Sequence, residues 1–196
     1  MKILIIGYGN SSKEHIKTIL SITKEVSITC ITSFSEQNKT DKRVRFLNRS
    51  DLKPRSLSND KYNLTLICSS TKNHKDDIYS FASISDLIIV EKPLSYSLAT
   101  SKNISDRLGA KNANAYVFLQ RRLHPIINEL RNYINNRQLG RPLTVNIDIL
   151  KYKTNHNCIE NSLNLGIHYI DLVFFLLSIE KWDILDKKKH QKTLTT

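Results

Sequence analysis

One stretch near the start of the chain decides its fold: Ile3-Leu4-Ile5-Ile6-Gly7-Tyr8-Gly9. The apolar run predicts a buried strand, and the two glycines let the backbone turn tightly after it and approach a ligand closely. The helix that follows offers the N–H groups of its first turn to an anion. Strand, glycine turn and helix in this order are typical of a domain that binds the pyrophosphate of a dinucleotide, although an ordinary strand–turn–helix unit has the same pattern.

Short apolar runs alternate with helical patterns through the first part of the chain. Such alternation predicts βαβ units and a parallel sheet, with a ligand crevice at the carboxyl ends of the strands. The predicted strands are 2–6, 26–32, 43–47, 62–69, 86–90 and 114–118, and the predicted helices are 12–23, 73–83 and 96–108. We therefore predict an α/β fold with a Rossmann-type, doubly wound parallel sheet, which forms a dinucleotide-binding domain over residues 1–120.

The pattern changes in the second part of the chain. Residues 124–138 place apolar side chains on one face of a helix, and residues 143–151 alternate between apolar and polar as a strand does. A polar stretch then leads to an apolar helix over residues 161–178, and Trp182 stands at the start of a second strand. We therefore predict a second, incomplete α+β domain over residues 121–196, which ends in a basic tail.

Composition excludes several classes of protein. With 196 residues, 40% of them hydrophobic, the chain is long and apolar enough to form a globular core. Its formal net charge of +12 is compatible with a nucleic-acid partner. The basic residues, however, are scattered rather than grouped with aromatic residues, so we expect no nucleic-acid partner. The apolar runs are too short to span a bilayer or to form a secretion signal, so we expect a cytoplasmic protein with no membrane partner.

The three cysteines, Cys30, Cys68 and Cys158, show neither metal-ligand nor disulfide spacing. Cys30 and Cys68 lie in predicted strands, where a buried thiol packs as a small apolar side chain. We therefore expect no metal site and a protein whose cysteines are reduced.

Six short motifs follow one another over residues 1–179. They are Gly7-x-Gly9-x-x-Ser12 with His15, Ser70-Thr71-Lys72-Asn73-His74, Glu91-Lys92-Pro93-Leu94, Arg121-Arg122-Leu123-His124-Pro125, Leu139-Gly140-Arg141-Pro142 and Gly166-Ile167-His168-Tyr169-Ile170-Asp171. In order and spacing they resemble the motifs of the Gfo/Idh/MocA family (glucose-fructose oxidoreductase, inositol dehydrogenase and rhizopine catabolism), whose members are NAD(P)-dependent oxidoreductases. The resemblance implies hydride transfer between a nicotinamide cofactor and a sugar-type secondary alcohol.

The resemblance implies two catalytic residues. Lys92 matches the lysine of the family's Glu-Lys-Pro motif, where a cation stabilises the alkoxide that develops as hydride leaves the carbinol carbon. His168 matches the family's acid/base position, and an imidazole transfers protons well near neutral pH. The alternatives are an ordinary solvated lysine at a strand end and a core histidine on an apolar helix.

The resemblance also implies a cofactor site at the ends of the strands. Its residues are Gly7, Gly9, Asn10, Ser11, Ser12, Ser33, Ser69, Ser70, Thr71, Asn73, His74, Glu91 and Lys92. Ser12 replaces the third glycine of the turn motif and is small enough for close helix–strand packing. Ser33 stands where an acidic residue would bind the ribose 2′-hydroxyl of NAD. Hydroxyl residues occur there with NAD as well, but the basic residues that follow, Lys39, Lys42 and Arg43, suit a 2′-phosphate. We therefore expect NAD or NADP, with NADP slightly favoured.

Substrate binding is implied for Arg121, Arg122, Asn164 and His168. A guanidinium binds a carboxylate or phosphate bidentately, although both arginines could equally pair with acidic neighbours. Asn164 lies one helical turn before His168, at a position where several relatives of the family carry aspartate. Asparagine there resembles the branch that oxidises nucleotide-activated sugars, so we expect a sugar or nucleotide sugar as the substrate.

The chain departs from the family in its length, because family members are much longer and complete their second domain with an open sheet. We therefore expect a C-terminally truncated chain. The apolar helix over 161–178 would then expose a face that a partner or a second copy of the chain covers. The alternative function is that of a truncated, non-catalytic protein that binds a dinucleotide or a protein partner.

Overall fold

The structure is a computed structural model, and it describes residues 1–33, 41–51, 57, 60–138, 140, 142, 144–148 and 158–179, the last range without the side chains of 158–165. The chain divides into two compact units, Met1–Phe118 and Leu119–Thr196. Among the described helices, none is both long and apolar enough to cross a membrane.

A six-stranded parallel sheet forms the centre of the first unit. Its strands are β1 (Lys2–Ile6), β2 (Ser27–Thr32), β3 (Val44–Asn48), β4 (Leu64–Ile67), β5 (Ile88–Val90) and β6 (Ala115–Val117). They are arranged in the order β3-β2-β1-β4-β5-β6, and every neighbouring pair is parallel. This is the strand order of the Rossmann fold, in which the chain changes direction between β1 and β4. The predicted α/β fold is confirmed, and each predicted strand overlaps an observed one.

Helices connect the strands and cover both faces of the sheet. They are α1 (Asn10–Ile22), α2 (His74–Phe81) and α3 (Leu98–Ala110). The three predicted helices are confirmed, although α1 begins at Asn10 because Gly9 already serves as its N-cap. The C-terminal end of the helix predicted over 73–83 forms a separate 3-10 turn, Ala82–Ile84.

The core of the first unit consists of two apolar layers, one on each face of the sheet. Side chains alternate along β1. Leu4 and Ile6 therefore join a cluster with Ile78 of α2 and Ile104 of α3. On the other side, Ile3 and Ile5 join a cluster that includes Ile16 of α1. All of the β1 residues from Ile3 to Ile6 are fully buried, which explains why this strand reads as an unbroken apolar run.

The second unit contains two described helices, α4 (Pro125–Asn135) and α5 (Cys158–Leu177), and both were predicted. The strand predicted over 143–151 does not form in its described part, since residues 144–148 belong to no strand. A strand is stable only when a neighbour completes its hydrogen-bond ladder, and an alternating pattern cannot supply that neighbour. Its remaining residues, like the second predicted strand at Trp182, lie outside the described part of the chain.

Candidate functional site

Three loops meet where β1, β4 and β5 end. The hydrogen-bond ladder continues beyond the strands, since Cys68 N donates to Ile6 O over 2.8 Å and Glu91 N donates to Ile67 O over 2.9 Å. The glycine turn after β1, the Cys68–Thr71 loop after β4 and the Glu91–Pro93 loop after β5 therefore form one edge of the sheet. In open parallel sheets a ligand binds at this edge, where the strand order reverses.

The glycine turn requires Gly7 at its first position. Gly7 has φ +93°, and a Cβ built on it would lie 2.8 Å from Cys68 O and from Ser69 N. Its N–H donates to Ile31 O over 2.8 Å, which holds the turn to the end of β2. Only glycine combines this left-handed backbone with so close an approach to the neighbouring loop.

Helix α1 begins directly after the turn, with Gly9 at its N-cap position. Glycine has no side chain to accept a hydrogen bond, so this cap residue leaves the first-turn N–H groups to an external acceptor. Ser12 is completely buried in this turn and its Oγ donates to Gly9 O over 2.9 Å. Its small side chain thus packs within the first turn of α1 at the position of the third glycine, while Asn10 and Ser11 beside it are exposed.

Glu91 lies at the centre of a hydrogen-bond network that joins α1 to the end of β5. His15 Nε2 lies 3.0 Å from Glu91 Oε1, and Ser11 Oγ donates to the same oxygen. Burial would raise the pKa of Glu91, but the hydrogen bonds from His15 and Ser11 outweigh it, so this pKa lies below its ordinary value. Burial, together with the charge of Glu91, raises the pKa of the neighbouring Cys68 thiol to about 12.

The side chain of His74 is hydrogen-bonded to two of the three loops. Its ring is buried, with Nδ1 3.1 Å from Pro93 O and Nε2 3.0 Å from Ser69 O. Both nitrogens are therefore engaged by the protein backbone. This places His74 as a support that fixes the Lys92-Pro93 segment against the Ser69 loop, rather than as a side chain that faces a ligand.

Asp77 is a member of this region that the sequence did not indicate. It is buried in α2, accepts a hydrogen bond of 2.5 Å from Ser69 Oγ and forms an ion pair with Arg49. Burial raises the pKa of Asp77 in spite of these partners. The only sign in the sequence was a pair of acidic residues in the first turn of a predicted helix, a feature too common to mark a site.

The other predicted cofactor residues lie around the same edge. Lys92 is half-buried and follows β5, and the peptide bond between Lys92 and Pro93 is cis. Ser70 is exposed at the start of the short 3-10 turn Thr71–Asn73 that leads into α2. Ser33 is exposed immediately after β2.

The predicted substrate residues belong to the second unit. Arg122 Nε donates to Asp171 Oδ2 over 2.8 Å, a second contact joins the same two side chains, and the guanidinium lies 5.2 Å from the ring centroid of Phe175. Arg121 lies over Tyr169, 4.7 Å from its ring centroid. His168 is buried on α5. The side chain of Asn164 lies outside the described residues.

The second unit also has an apolar cleft of about 670 Å³ that the sequence did not indicate. It opens between the segment that precedes α4, the start of α4 and Leu172 of α5. Leu123 and Ile126 in its wall are 72% and 66% exposed, so the cleft presents apolar surface to solvent.

A family model matches residues 1–119, and its description is "Oxidoreductase family, NAD-binding Rossmann fold" (GFO_IDH_MocA). These residues make up more than half of the chain and include the glycine turn and the Glu91–Pro93 loop. A search of curated proteins found no match to this sequence.

Several solved structures share the fold. The myo-inositol dehydrogenase of Lactobacillus casei, in complex with NAD(H) and myo-inositol, is 21% identical with a TM-score of 0.72, over 91% of this chain and 54% of its own. An NAD-binding protein of Listeria innocua is 18% identical with a TM-score of 0.67, over 89% and 54%. The apo scyllo-inositol dehydrogenase of Lactobacillus casei is 13% identical with a TM-score of 0.69, over 91% and 55%. The chain thus spans about half the length of the structures it matches.

Proposed function

The chain belongs to the Gfo/Idh/MocA family of oxidoreductases, and on that premise we propose that its first unit binds a nicotinamide dinucleotide at the edge formed by the three loops. One observation carries the proposal: the backbone of Gly7 passes so close to Ser69 that a Cβ would fill the space, directly before a helix that has glycine as its N-cap. A turn of this kind admits a pyrophosphate to the N-terminus of α1.

We further propose that the chain is an oxidoreductase that acts on the secondary alcohol of a sugar-type substrate. The dinucleotide, when bound, accepts or supplies the hydride. Lys92 would place its ammonium group at the substrate oxygen and stabilise the negative charge that develops there. His168 would take the hydroxyl proton during oxidation and return it during reduction.

The support for Lys92 comes from its surroundings. After Lys92, the carbonyl oxygen of Pro93 is hydrogen-bonded to the buried ring of His74. Before it, the Glu91 carboxylate is hydrogen-bonded to Ser11 and His15. A catalytic cation works best when its backbone is fixed on both sides, because little reorganisation then accompanies the reaction.

The substrate class rests on the resemblance in the second unit and on one solved neighbour. That neighbour binds myo-inositol together with NAD(H), and a cyclic polyol presents the same secondary alcohols as a sugar. Within the class we favour a nucleotide sugar, because Asn164 stands where other branches of the family carry aspartate. Arg121 would contact a phosphate of such a substrate, whereas Arg122 is engaged by Asp171.

Cofactor binding is tested by the thermal stability of the purified chain, with NAD(H) and NADP(H) titrated separately. A ligand at about 100 times its Kd stabilises the folded state by about 2.7 kcal/mol, which is a clear rise in melting temperature. We expect a saturable rise with one of the two, with a slight preference for NADP(H). A cooperatively folded sample that responds to neither would overturn the proposal.

Turnover is tested next with a panel of nucleotide sugars, free sugars and inositols. Lys92→Ala should abolish turnover and only weaken cofactor binding, because the other cofactor residues remain, whereas Lys72→Ala, which removes an exposed lysine of the neighbouring loop, should change neither. Cofactor binding without turnover of any substrate would favour the alternative, a non-catalytic dinucleotide-binding protein.

A further inference from the structure

Three metal-ligating side chains of different chemistry converge beside the glycine turn. His15 projects from α1, Cys68 follows β4 and Glu91 follows β5, and their imidazole nitrogen, thiol sulfur and carboxylate oxygen all lie within 4.8 Å of one another. We propose that this His15–Cys68–Glu91 cluster is a binding site for a divalent cation of the zinc type. Metal binding here does not depend on the proposed oxidoreductase function.

The distances suit a tetrahedral ion. Zinc binds imidazole nitrogen, thiolate sulfur and carboxylate oxygen at about 2.0–2.3 Å, so two ligand atoms of one tetrahedron lie about 3.2–3.8 Å apart. His15 Nε2 and Glu91 Oε1 are already 3.0 Å apart. The Cys68 sulfur lies within 4.8 Å of both atoms, so it needs to move toward them by about 1 Å to complete the triangle. Three protein ligands leave a fourth position for water or another small ligand.

The charge of the cluster also suits a cation. Glu91 brings a carboxylate, with Ser11 Oγ donating to its Oε1 and His15 Nε2 3.0 Å from the same oxygen. A dication placed between the sulfur and the carboxylate would compensate the negative charge of Glu91, and a cysteine that coordinates such an ion binds as the thiolate.

The ligands are held in place by neighbouring groups. Ser11 donates to Glu91 Oε1, and the His15 ring packs edge-on against Phe118 with the ring centroids 5.3 Å apart. Such outer contacts orient ligands and contribute strongly to metal affinity. The cluster could not be predicted from the sequence, since His15 and Glu91 are 76 residues apart and the cysteine spacing matches no metal motif.

The test uses the purified chain, reduced with a phosphine rather than a thiol, and titrated with Co²⁺ as the probe. We expect the visible bands of tetrahedral cobalt and a near-ultraviolet thiolate-to-cobalt charge-transfer band, both of which Zn²⁺ then removes by displacement. A bound metal joins α1 to the loops after β4 and β5, so the melting temperature should rise with Zn²⁺ in the absence of any dinucleotide.

Variants identify the ligands. Cys68→Ala should remove the charge-transfer band, and Glu91→Gln should weaken Zn²⁺ binding by more than about tenfold, since even an outer-shell partner is worth about that much. Cys30→Ala is the matched control, because Cys30 is a fully buried thiol of the same unit that lies outside the cluster. Absence of a cobalt spectrum, or a charge-transfer band that survives Cys68→Ala, would overturn the proposal. If Cys68→Ala fails to fold, His15→Asn and Glu91→Gln decide the same question from the affinity.

Discussion

The backbone of Gly7 packs directly against the backbone of Ser69, 62 residues further along the chain: a Cβ on Gly7 would lie 2.8 Å from both N and Cα of Ser69. The glycine turn after β1 and the loop after β4 therefore touch without any side chain between them. This contact shapes the edge at which we place the dinucleotide, and it explains in steric terms why the first glycine of the motif is needed.

Gly7→Ala should destabilise the first unit by about 2–6 kcal/mol. The alanine would have to adopt the left-handed backbone of Gly7, which costs about 1–3 kcal/mol. Its Cβ would also overpack the contact with the neighbouring loop, which costs roughly another 1–3 kcal/mol. Urea-induced unfolding, followed by circular dichroism, measures the change.

Gly9→Ala is the matched control for that prediction. The space around a Cβ on Gly9 is open to 4 Å, and its backbone is extended rather than left-handed. We expect a loss of less than about 1 kcal/mol, since alanine is only a poorer N-cap than glycine. Equal losses in the two variants would contradict the steric explanation.

Glu91→Gln should lower stability near neutral pH and have little effect in acid. The pKa of Glu91 is lower in the folded chain than the ordinary value of 4.5. A carboxyl of this kind contributes stability that is present above its unfolded pKa and is lost as the pH falls through its folded pKa. The gap between the wild type and the variant should therefore close below about pH 4.5. Unfolding free energies at several pH values test this, and a gap that is independent of pH would argue against it.

Asp77→Asn should show the opposite pH dependence. Burial raises the pKa of Asp77 above its ordinary value of 3.8. The contribution of such a group is complete below the unfolded pKa and is lost as the pH rises through the folded pKa. The cost of the substitution should consequently shrink as the pH rises above 3.8. The same unfolding series measures it, and a cost that grows with pH would show that Arg49 and Ser69 outweigh burial.

The sequence predicted the sheet well because the sheet depends on local patterns. Each strand is a short apolar run between helical segments, and β1, buried on both faces, is the clearest of them. The glycine turn and Ser12 were predicted for the same reason, since the turn, the cap and the packing of the helix all lie within a few residues of one another.

What the sequence could not show is which loops touch. The pairing of His15 with Glu91, the support of Pro93 by His74 and the burial of Asp77 all join segments that are distant in the chain. Such contacts follow from the order of the strands and not from any local pattern. The strand predicted over 143–151 illustrates the opposite case. Its alternating pattern is local, but a strand also needs a neighbouring strand, which the pattern cannot predict, and residues 144–148 are not in a strand.

Asp171→Asn should loosen the second unit through the loss of the Arg122 ion pair. Asp171 is 9% exposed, and its presence raises the pKa of Arg122 through their hydrogen bonds. Breaking a fully buried pair costs about 3–5 kcal/mol, but the Arg122 side chain is 40% exposed, so solvent screening reduces this to about 1–2 kcal/mol. Hydrogen exchange of the α5 amides should accelerate accordingly.

A double-mutant cycle separates the ion pair from other effects of that substitution. Arg122→Gln, Asp171→Asn and the double variant should give a coupling energy of about 0.5–2 kcal/mol, since the two side chains touch. Asp106→Asn, which changes an exposed aspartate on α3, is the control and should leave exchange in α5 unchanged. A coupling energy near zero would mean that the pair is formed but contributes nothing to the packing of α5, and Arg122 would then be available to a substrate anion.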